Sequence, residues 1–301
     1  MRIAIYTRNF SAELSPFLEN VFSILEEHDC ELILYEPFRQ KWGEFANKDF
    51  ISFSNREDLK KNLPIDYLFS FGGDGTFLDA ANLVADTKIP VVGINTGRIG
   101  FLASISKAGF RERIEQLFKG DFELEERSLL HVECDAKSPL QQNFALNDVT
   151  IHPSADGSIN SITVWMDDMK INTYWADGLI VATPTGSTAY SLSCGGPILP
   201  PSADVVVITP IASHSLSVRP IVLPSAATIR IVVESRTKQF SLSVDSHKFV
   251  ISHKSNIIIT KENFHIDTVR FPSADFFSVI REKLMWGIDK RNLTLTDDYG
   301  R

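Results

Sequence analysis

The sequence has little of several features that would fix its class at once. It contains three cysteines in 301 residues, at Cys30, Cys134 and Cys194, far apart and without a CxxC pair. This spacing argues against a zinc site or a disulfide framework and favours reduced thiols. No apolar run approaches the ~20 residues that a membrane-spanning helix needs, and no secretory signal pattern opens the chain. We therefore expect a cytoplasmic protein without a membrane partner.

Basic charge is also scarce, because 30 Lys and Arg stand against 38 Asp and Glu, for a net charge of −8. Nucleic-acid binders usually carry a basic face, so we expect no nucleic-acid partner. The histidines show neither an HExxH motif nor paired spacing, so no metal site built by the protein is expected. The GxSxG of hydrolases, the GxxxxGK[ST] of P-loops and the GxGxxG dinucleotide fingerprint are absent too.

Strand-like and helix-like segments alternate over residues 1–125. This alternation predicts an α/β domain with a Rossmann-like parallel sheet. The strand candidates are 2–6, 31–35, 66–71 and 91–95, and the helix candidates are 16–27, 58–63, 76–85 and 109–119.

From about residue 124 the pattern changes to short strands separated by turns rich in Pro, Ser, Asp and Asn. This predicts an all-β, sandwich-like domain over residues 126–271. The strand candidates are 129–134, 148–152, 159–166, 179–183, 205–209, 229–234, 240–245 and 256–261. A helical pattern returns at 274–285, and we expect the segment 272–301 to pack on the first domain.

The most informative motif is Gly72-Gly73-Asp74-Gly75, where a strand candidate gives way to a helix candidate. Glycine lets a ligand approach the backbone, and free N–H groups at a helix start suit phosphate. A carboxylate there repels an anion, so its presence makes sense if Asp74 takes a proton from a hydroxyl. The combination favours phosphoryl transfer. Alternatively, Asp74 caps the helix in a tight turn.

A second strand followed by glycines occupies residues 95–102, with Gly97 and Gly100. Arg98 in this stretch offsets the negative charge of a phosphate donor, or is an exposed loop arginine. Phe101 lies under a nucleotide base, or belongs to the core.

A third stretch, residues 177–197, is an apolar strand followed by a loop crowded with hydroxyls and glycines, with Tyr190 among them. Small residues let a planar ligand lie against the backbone, and hydroxyls supply directional hydrogen bonds. Alternatively, the stretch is a surface turn. Asp177 at its start is suited to accept from ribose hydroxyls, or it belongs to an Asp-Gly hairpin turn.

Asn147-Asp148 is a polar pair inside strand-like surroundings. An amide beside a carboxylate is suited to reading the edges of a sugar or a base. The pair fits a β-bulge or a turn equally well.

Taken together, these stretches resemble the NAD kinase family over residues 3–272. The Gly-Gly-Asp-Gly turn alone is shared with lipid kinases of the diacylglycerol type and, more distantly, with phosphofructokinases. The specific part is Asp177-Gly178 followed by residues 183–191 and 195–197. Residues 95–97 with 100–102, and 215–217 with Arg219-Pro220, match as well.

The resemblance implies a kinase that transfers the terminal phosphoryl group of ATP to the 2′-hydroxyl of the adenosine ribose of NAD, giving NADP. It implies a site in the crevice between an α/β domain and a β-sandwich-like domain. The partners are then NAD and ATP, with Mg²⁺ or another divalent cation entering with ATP. It further implies homodimers or homotetramers, in which a neighbouring subunit can complete the NAD pocket.

By motif position, the resemblance makes Asp74 the catalytic base and a substrate-binding residue. The other implied substrate-binding residues are Gly75, Phe101, Asn147, Asp148, Trp175, Asp177, Thr188, Ala189, Tyr190, Ser191, Ala212 and His247. Two of them depart from the family pattern, since some members have a charged residue at 175 and many have Gln, Asn or Arg at 247.

Two other functions stay open beside this one. A lipid kinase shares the Gly-Gly-Asp-Gly turn, although the hydroxyl-rich loop at 183–193 argues against an apolar acceptor pocket. A non-catalytic regulator that binds NAD(P) is the third reading, and the intact Asp74 argues against it.

Overall fold

The computed structural model describes residues 1–8, 11–42, 50–97, 100–103, 105–135, 140–152, 160–236, 238–272 and 275–286. The helices are α1 (Ser15–Glu27), α2 (Glu36–Trp42), α3 (Arg56–Lys61), α4 (Asp74–Val84), α5 (Phe110–Lys119), α6 (Tyr190–Ser193) and α7 (Phe276–Leu284). Among the described helices, none combines the length and the apolar character that spanning a membrane requires.

The strands fall into two sets along the chain. The earlier ones are β1 (Arg2–Tyr6), β2 (Glu31–Tyr35), β3 (Ile51–Phe53), β4 (Tyr67–Gly72), β5 (Val91–Asn95), β6 (Ile105–Ser106) and β7 (Glu123–Arg127). The later ones are β8 (Leu130–Cys134), β9 (Phe144–Ala145), β10 (Asp148–His152), β11 (Asn160–Met166), β12 (Met169–Ala176), β13 (Gly178–Ala182), β14 (Val205–Ile211), β15 (Ile221–Pro224), β16 (Ile229–Glu234), β17 (Gln239–Val244), β18 (His247–Ser252), β19 (Asn256–Lys261) and β20 (Ile266–Arg270).

The chain divides into two compact units. One comprises Met1–Glu125 with Asp267–Arg301, and the other comprises Glu126–Ile266. The first unit therefore contains α7, and it also takes β20, which hydrogen-bonds to β5. The sequence predicts a boundary at residue 271, after this strand, whereas the two units of the structure meet at its start. A short strand pattern does not indicate which sheet the strand joins.

The first unit is built on one sheet in the order β3-β2-β1-β4-β5-β20-β7, with β6 also paired to β5. The pairs from β3 through β5, and those of β5 with β6 and β20, are parallel. Helices cover such a sheet, so its strands are apolar throughout. Ile3, Ala4 and Ile5 of β1 are fully buried. The predicted parallel α/β domain is confirmed.

Two strand ends position the first part of the site. Gly72 at the end of β4 lies opposite Asn95 at the end of β5. The two glycine-containing turns therefore leave the same edge of the sheet, side by side. Helix α4 follows the first turn and buries Phe77, Ala80 and Val84 along one face, the spacing of an amphipathic helix.

The second unit consists of two six-stranded sheets, β15-β14-β13-β10-β17-β18 and β12-β11-β16-β19-β8-β9, whose recorded pairs are all antiparallel. Alternation along β13 divides its side chains between two clusters. Leu179 and Val181 lie in the main core of this unit, whereas Ile180 and Ala182 pack with Cys194 and Leu199 on the other side. The segment after β13 thus covers the outer face of its own sheet. The predicted β-sandwich is confirmed.

Candidate functional site

The turn after β4 gives a helix start with open backbone groups. Gly73 is the N-cap of α4 in an extended conformation, and no side chain caps the helix. Asp74 is the first helical residue, so the alternative that it caps the helix is wrong. The N–H groups of Thr76 and Phe77 donate to the Gly73 carbonyl at 3.0 and 3.1 Å. Among the described residues, the N–H groups of Asp74 and Gly75 find no acceptor.

The Asp74 carboxylate reaches the second glycine-containing turn. Its Oδ2 accepts from the N–H of Phe101 at 2.8 Å. Its Oδ1 accepts from Leu102 and Ala103 at 2.9 and 3.1 Å. A Cβ built on Gly100 would overlap this carboxylate, so the close approach requires glycine there. Because an ionised carboxylate offers about four lone-pair sites, roughly one remains for a substrate.

A cation that the sequence analysis missed lies beside this turn. Arg8 follows β1, which is the parallel neighbour of β4. Its Nη1 lies 4.0 Å from where a Cβ on Gly75 would stand and 3.5 Å from Oδ2 of Asp79. Its position after β1 could have revealed Arg8 from the sequence, because residues that follow adjacent parallel strands meet at one edge of the sheet. Arg98, the cation predicted from the sequence, lies outside the described residues.

In the second unit, the backbone around Asn147 is held from two sides. Asp245 accepts from the N–H groups of Leu146, Asn147 and Asp148 at 2.9, 2.8 and 3.2 Å. The Thr183 N–H donates to the Asn147 carbonyl at 2.9 Å. The Asn147 side chain is half-buried and makes no hydrogen bond with the part of the chain that the structure describes.

Asp148 and Asp245 are neighbouring carboxylates in a poorly solvated place. Burial raises the pKa of Asp148 to about 6, and the negative charge of Asp245 acts in the same direction. Burial also raises the pKa of Asp245 to about 6, although its three amide N–H donors act against this. Thr150 donates to Asp148 at 2.7 Å. Since β10 begins at Asp148, the polar pair stands at a strand start.

The loop after β13 uses most of its hydroxyls internally. It forms a 3₁₀ turn over Thr185–Thr188 and then α6. Two of the hydrogen bonds made by these hydroxyls lie within the loop, from Ser187 Oγ to the Pro184 carbonyl (2.6 Å) and from Thr188 Oγ1 to the Thr185 carbonyl (3.1 Å). Two others join it to neighbouring segments, from Thr183 Oγ1 to the Leu146 carbonyl (2.6 Å) and between Ser191 Oγ and Thr209 Oγ1 (2.8 Å). These hydroxyls therefore stabilise the conformation of the loop.

Tyr190 remains accessible in the same segment. Its side chain is 40% exposed, and its ring stacks on His152 with centroids 5.9 Å apart and planes inclined by 24°. His152 closes β10 and was not among the predicted site residues. Nothing in its sequence surroundings marks it, because the contact joins elements 38 residues apart.

Three of the predicted residues form a separate, exposed group. The pairing of Gly178 with Ile211 brings Asp177 and Ala212 to one end of the β13–β14 ladder. His214 Nε2 lies 3.8 Å from the Asp177 carboxylate, and the His214 N–H donates to the Trp175 carbonyl at 2.9 Å. Trp175 is 58% exposed. The side chains of Trp175, Asp177 and Ala212 are all exposed and therefore accessible to a ligand.

The two groups of the second unit lie at opposite ends of β13. Asp148 pairs with Ala182 at the far end of that strand, four residues from Gly178, or about 13 Å along it. His247 belongs to the Asn147 end, because the Asp245 N–H of the preceding turn donates to the Asp148 carbonyl at 2.9 Å. Within the described ranges, no cluster of three or more His, Cys, Asp or Glu residues is arranged to hold a metal ion.

Comparison with known proteins decides the family. Residues 3–122 match the sequence model of the ATP-NAD kinase N-terminal domain, and residues 146–271 match that of the ATP-NAD kinase C-terminal domain. The chain belongs to the NAD kinase family. Curated relatives named NAD kinase include those of Christiangramia forsetii and Bacteroides fragilis. The first is 38% identical over 97% of this chain and 100% of the relative, and the second is 39% identical over the same shares.

Solved structures of the family share the fold. The yeast NADH kinase complexed with NADH superposes with a TM-score of 0.86 at 24% identity, covering 96% of this chain and 88% of the other. An NAD kinase from Archaeoglobus fulgidus in complex with ATP gives 0.71 at 23% identity, covering 93% and 99%. The predicted family and fold are thereby confirmed, and the prediction of an NAD kinase is confirmed by the family membership.

Proposed function

We propose that the chain transfers the terminal phosphoryl group of ATP to the 2′-hydroxyl of the adenosine ribose of NAD, giving NADP. The observation that carries this proposal is the Asp74 carboxylate. Three amides hold it in one orientation, and it retains room for one more donor. It begins a helix whose first N–H groups are available to a phosphate.

In the proposed reaction, Asp74 accepts a hydrogen bond from the 2′-hydroxyl and takes its proton as that oxygen attacks the terminal phosphorus. The bond from this phosphorus to the bridging oxygen breaks, and ADP leaves. The amide N–H groups of Asp74 and Gly75 and the guanidinium of Arg8 stabilise the charge on the transferred group. A divalent cation enters as part of the ATP substrate.

For NAD, we assign the Asn147 end and the Asp177 end of β13 to different parts of the dinucleotide. Phe101 borders Asp74 and packs against the substrate from the first unit. At the Asn147 end stand Asn147, Asp148 and His247. The segment Thr188, Ala189, Tyr190 and Ser191 runs from that end across the outer face of the sheet, where Tyr190 stacks on His152, the residue after the Ile151–Leu179 pair. At the other end stand Trp175, Asp177 and Ala212, where the exposed carboxylate is suited to accept from ribose hydroxyls.

We further propose a cytoplasmic homodimer or homotetramer in which a neighbouring subunit helps to complete the NAD pocket. The exposure of Trp175 and Asp177 supports this, because that end of β13 is accessible to the pocket of an adjacent copy. The three cysteines are free, which fits a reducing compartment. The net charge of −8 supports the absence of a nucleic-acid partner.

One assay tests the activity. The purified chain is incubated with Mg²⁺, NAD and either ATP or polyphosphate, and NADP is measured with an NADP-specific dehydrogenase. Parallel reactions replace NAD by NADH or by diacylglycerol in micelles. We expect NADP to form in step with ADP. Tight NAD binding without NADP would favour a regulator, and phosphatidic acid as the main product would favour a lipid kinase.

A further inference from the structure

Asp245 occupies the turn between β17 and β18 and lies outside the predicted set of site residues. Its φ of 49° falls in the left-handed region, which is uncommon for a residue other than glycine. The side chain turns back to the start of β10, where its Oδ1 accepts from Asn147 and Asp148 and its Oδ2 from Leu146. The Asp245 N–H donates to the Asp148 carbonyl.

The carbonyl side of the same segment is held by Thr183. Its N–H donates to the Asn147 carbonyl at 2.9 Å, and its hydroxyl donates to the Leu146 carbonyl at 2.6 Å while accepting from the Gly186 N–H at 3.0 Å. A Cβ built on Gly186 would overlap the Asn147 carbonyl. The peptide groups of residues 146–148 are thus fixed from two loops, and the Asn147 side chain is left without a partner among the described residues.

We propose that Asp245 is a positioning residue for dinucleotide binding: it clamps three successive amides and so fixes the direction in which Asn147 and Asp148 are presented. This inference rests on the proposed function, since Asn147 and Asp148 are assigned to NAD only there. A carboxylate suits the role because it offers acceptors on both oxygens. An asparagine would set an NH₂ group against the Leu146 N–H.

The matched pair of variants is Asp245→Asn and Asp167→Asn. Asp167 also stands in a hairpin turn of the second unit, with φ 53°, and its carboxylate also accepts a remote amide, from Thr228 at 3.1 Å. It lies on the other sheet, in the β11–β12 turn. Both substitutions therefore remove one acceptor oxygen from a left-handed turn, and only one of them touches residues 146–148.

Two readouts are taken on the full-length protein. The first is the hydrogen-exchange rate of the amides of residues 146–148. The second is the Kd and KM for NAD, beside the KM for ATP and kcat. For Asp245→Asn we expect faster exchange at 146–148 and a Kd for NAD raised about 10- to 100-fold, with the KM for ATP unchanged. For Asp167→Asn we expect none of these changes.

A second variant keeps the test decisive if Asp245→Asn does not fold. Thr183→Val preserves shape and removes the hydroxyl that bonds the Leu146 carbonyl, so it should raise the Kd for NAD in the same NAD-specific way. In an Asn147→Ala background, Asp245→Asn should add little, because the two residues act through one segment. Unchanged exchange, or faster exchange with unchanged NAD affinity, would overturn the proposal.

A failure of the proposed NAD-binding function would give a different result from a failure of the Asp245 proposal. If the wild type bound no NAD, or if Asn147→Ala bound it as tightly as the wild type, the assignment of this segment to the dinucleotide would fall. The exchange rates would still report whether Asp245 clamps the amides.

Discussion

Each unit of the molecule contains an aspartate that accepts three successive backbone N–H groups from a distant stretch of chain. In the first unit Asp74 accepts from residues 101–103 at 2.8–3.1 Å. In the second unit Asp245 accepts from residues 146–148 at 2.8–3.2 Å. The hydrogen-bond patterns are nearly the same, yet we assign proton transfer to one residue and positioning to the other.

The surroundings make the difference. Asp74 opens a helix between exposed glycines, with the Arg8 guanidinium close to Gly75. Asp245 has the carboxylate of Asp148 as a neighbour, and burial raises the pKa of both. The two residues accept the same number of hydrogen bonds, so our assignment of different roles rests on access to substrate and on the charge of the neighbours.

The strongest loss of activity is expected at Asp74, the residue to which we assign proton transfer. Asp74→Asn should lower kcat by ~10²–10⁴-fold, the usual contribution of a general base, with a smaller change in KM. Asparagine keeps one acceptor oxygen, so the contacts to Leu102 and Ala103 can persist while the base is lost. Steady-state kinetics with ATP and NAD measure this. Unchanged turnover would remove Asp74 from the chemistry.

Gly100→Ala disturbs the contact between Asp74 and the N–H groups of residues 101–103 while it keeps the carboxylate. The added Cβ would overlap Asp74, so we expect a loss of about 1–3 kcal/mol in the free energy of unfolding, typical of overpacking. Gly97→Ala is the control in the same turn, since its Cβ would meet nothing within 4 Å. Denaturant unfolding compares the two variants. Equal stabilities would contradict the close approach at Gly100.

Asp177 supplies a third aspartate that accepts no backbone amide among the described contacts. Asp177→Ala should weaken NAD binding by ~1–3 kcal/mol, as expected for removing a charged hydrogen-bond partner. Its unfolding free energy should change by less than about 0.5 kcal/mol, because the side chain is exposed. Isothermal titration with NAD measures the first effect. The control is His214→Ala, which removes the imidazole 3.8 Å from the Asp177 carboxylate and keeps that carboxylate. An unchanged Kd for NAD in Asp177→Ala would exclude the ribose role.

The last and smallest effect concerns Asp148, the acidic neighbour of Asp245. The pKa of Asp148 is raised to about 6 in the folded state, so the folded state binds more protons than the unfolded state between pH ~4 and ~6. This group's contribution to stability is therefore full below its unfolded pKa and is lost as the pH rises through about 6.

Asp148→Asn removes that titration. Relative to the variant, the wild type should lose on the order of 1–2 kcal/mol of unfolding free energy between pH 4.5 and 7. Parallel urea titrations at several pH values measure the difference. A constant difference across this range would show that Asp148 does not titrate near pH 6.

Local pattern was enough to predict much of the fold. Strands β1, β2, β5, β10, β16 and β19 have the bounds that the sequence predicts, because runs of β-branched and apolar residues end there at turn residues. Strand β12 was missed, because Lys170 and Asn172 interrupt its apolar pattern directly after the Asp-Asp turn that ends β11. Helix α2 was missed too, although Pro37 near its start is a helix-start signal.

The chemical identity of the site was also visible in the sequence, because glycines, a carboxylate and hydroxyls at fixed spacing are local facts. Which atoms meet was decided only by the tertiary structure. Asp74 bonds amides 27–29 residues away, Asp245 bonds amides 97–99 residues away, and β20 returns to a sheet begun at residue 2. Periodicity and turn chemistry are set by neighbours along the chain, whereas these contacts exist only once separate strands have brought their loops to a common edge.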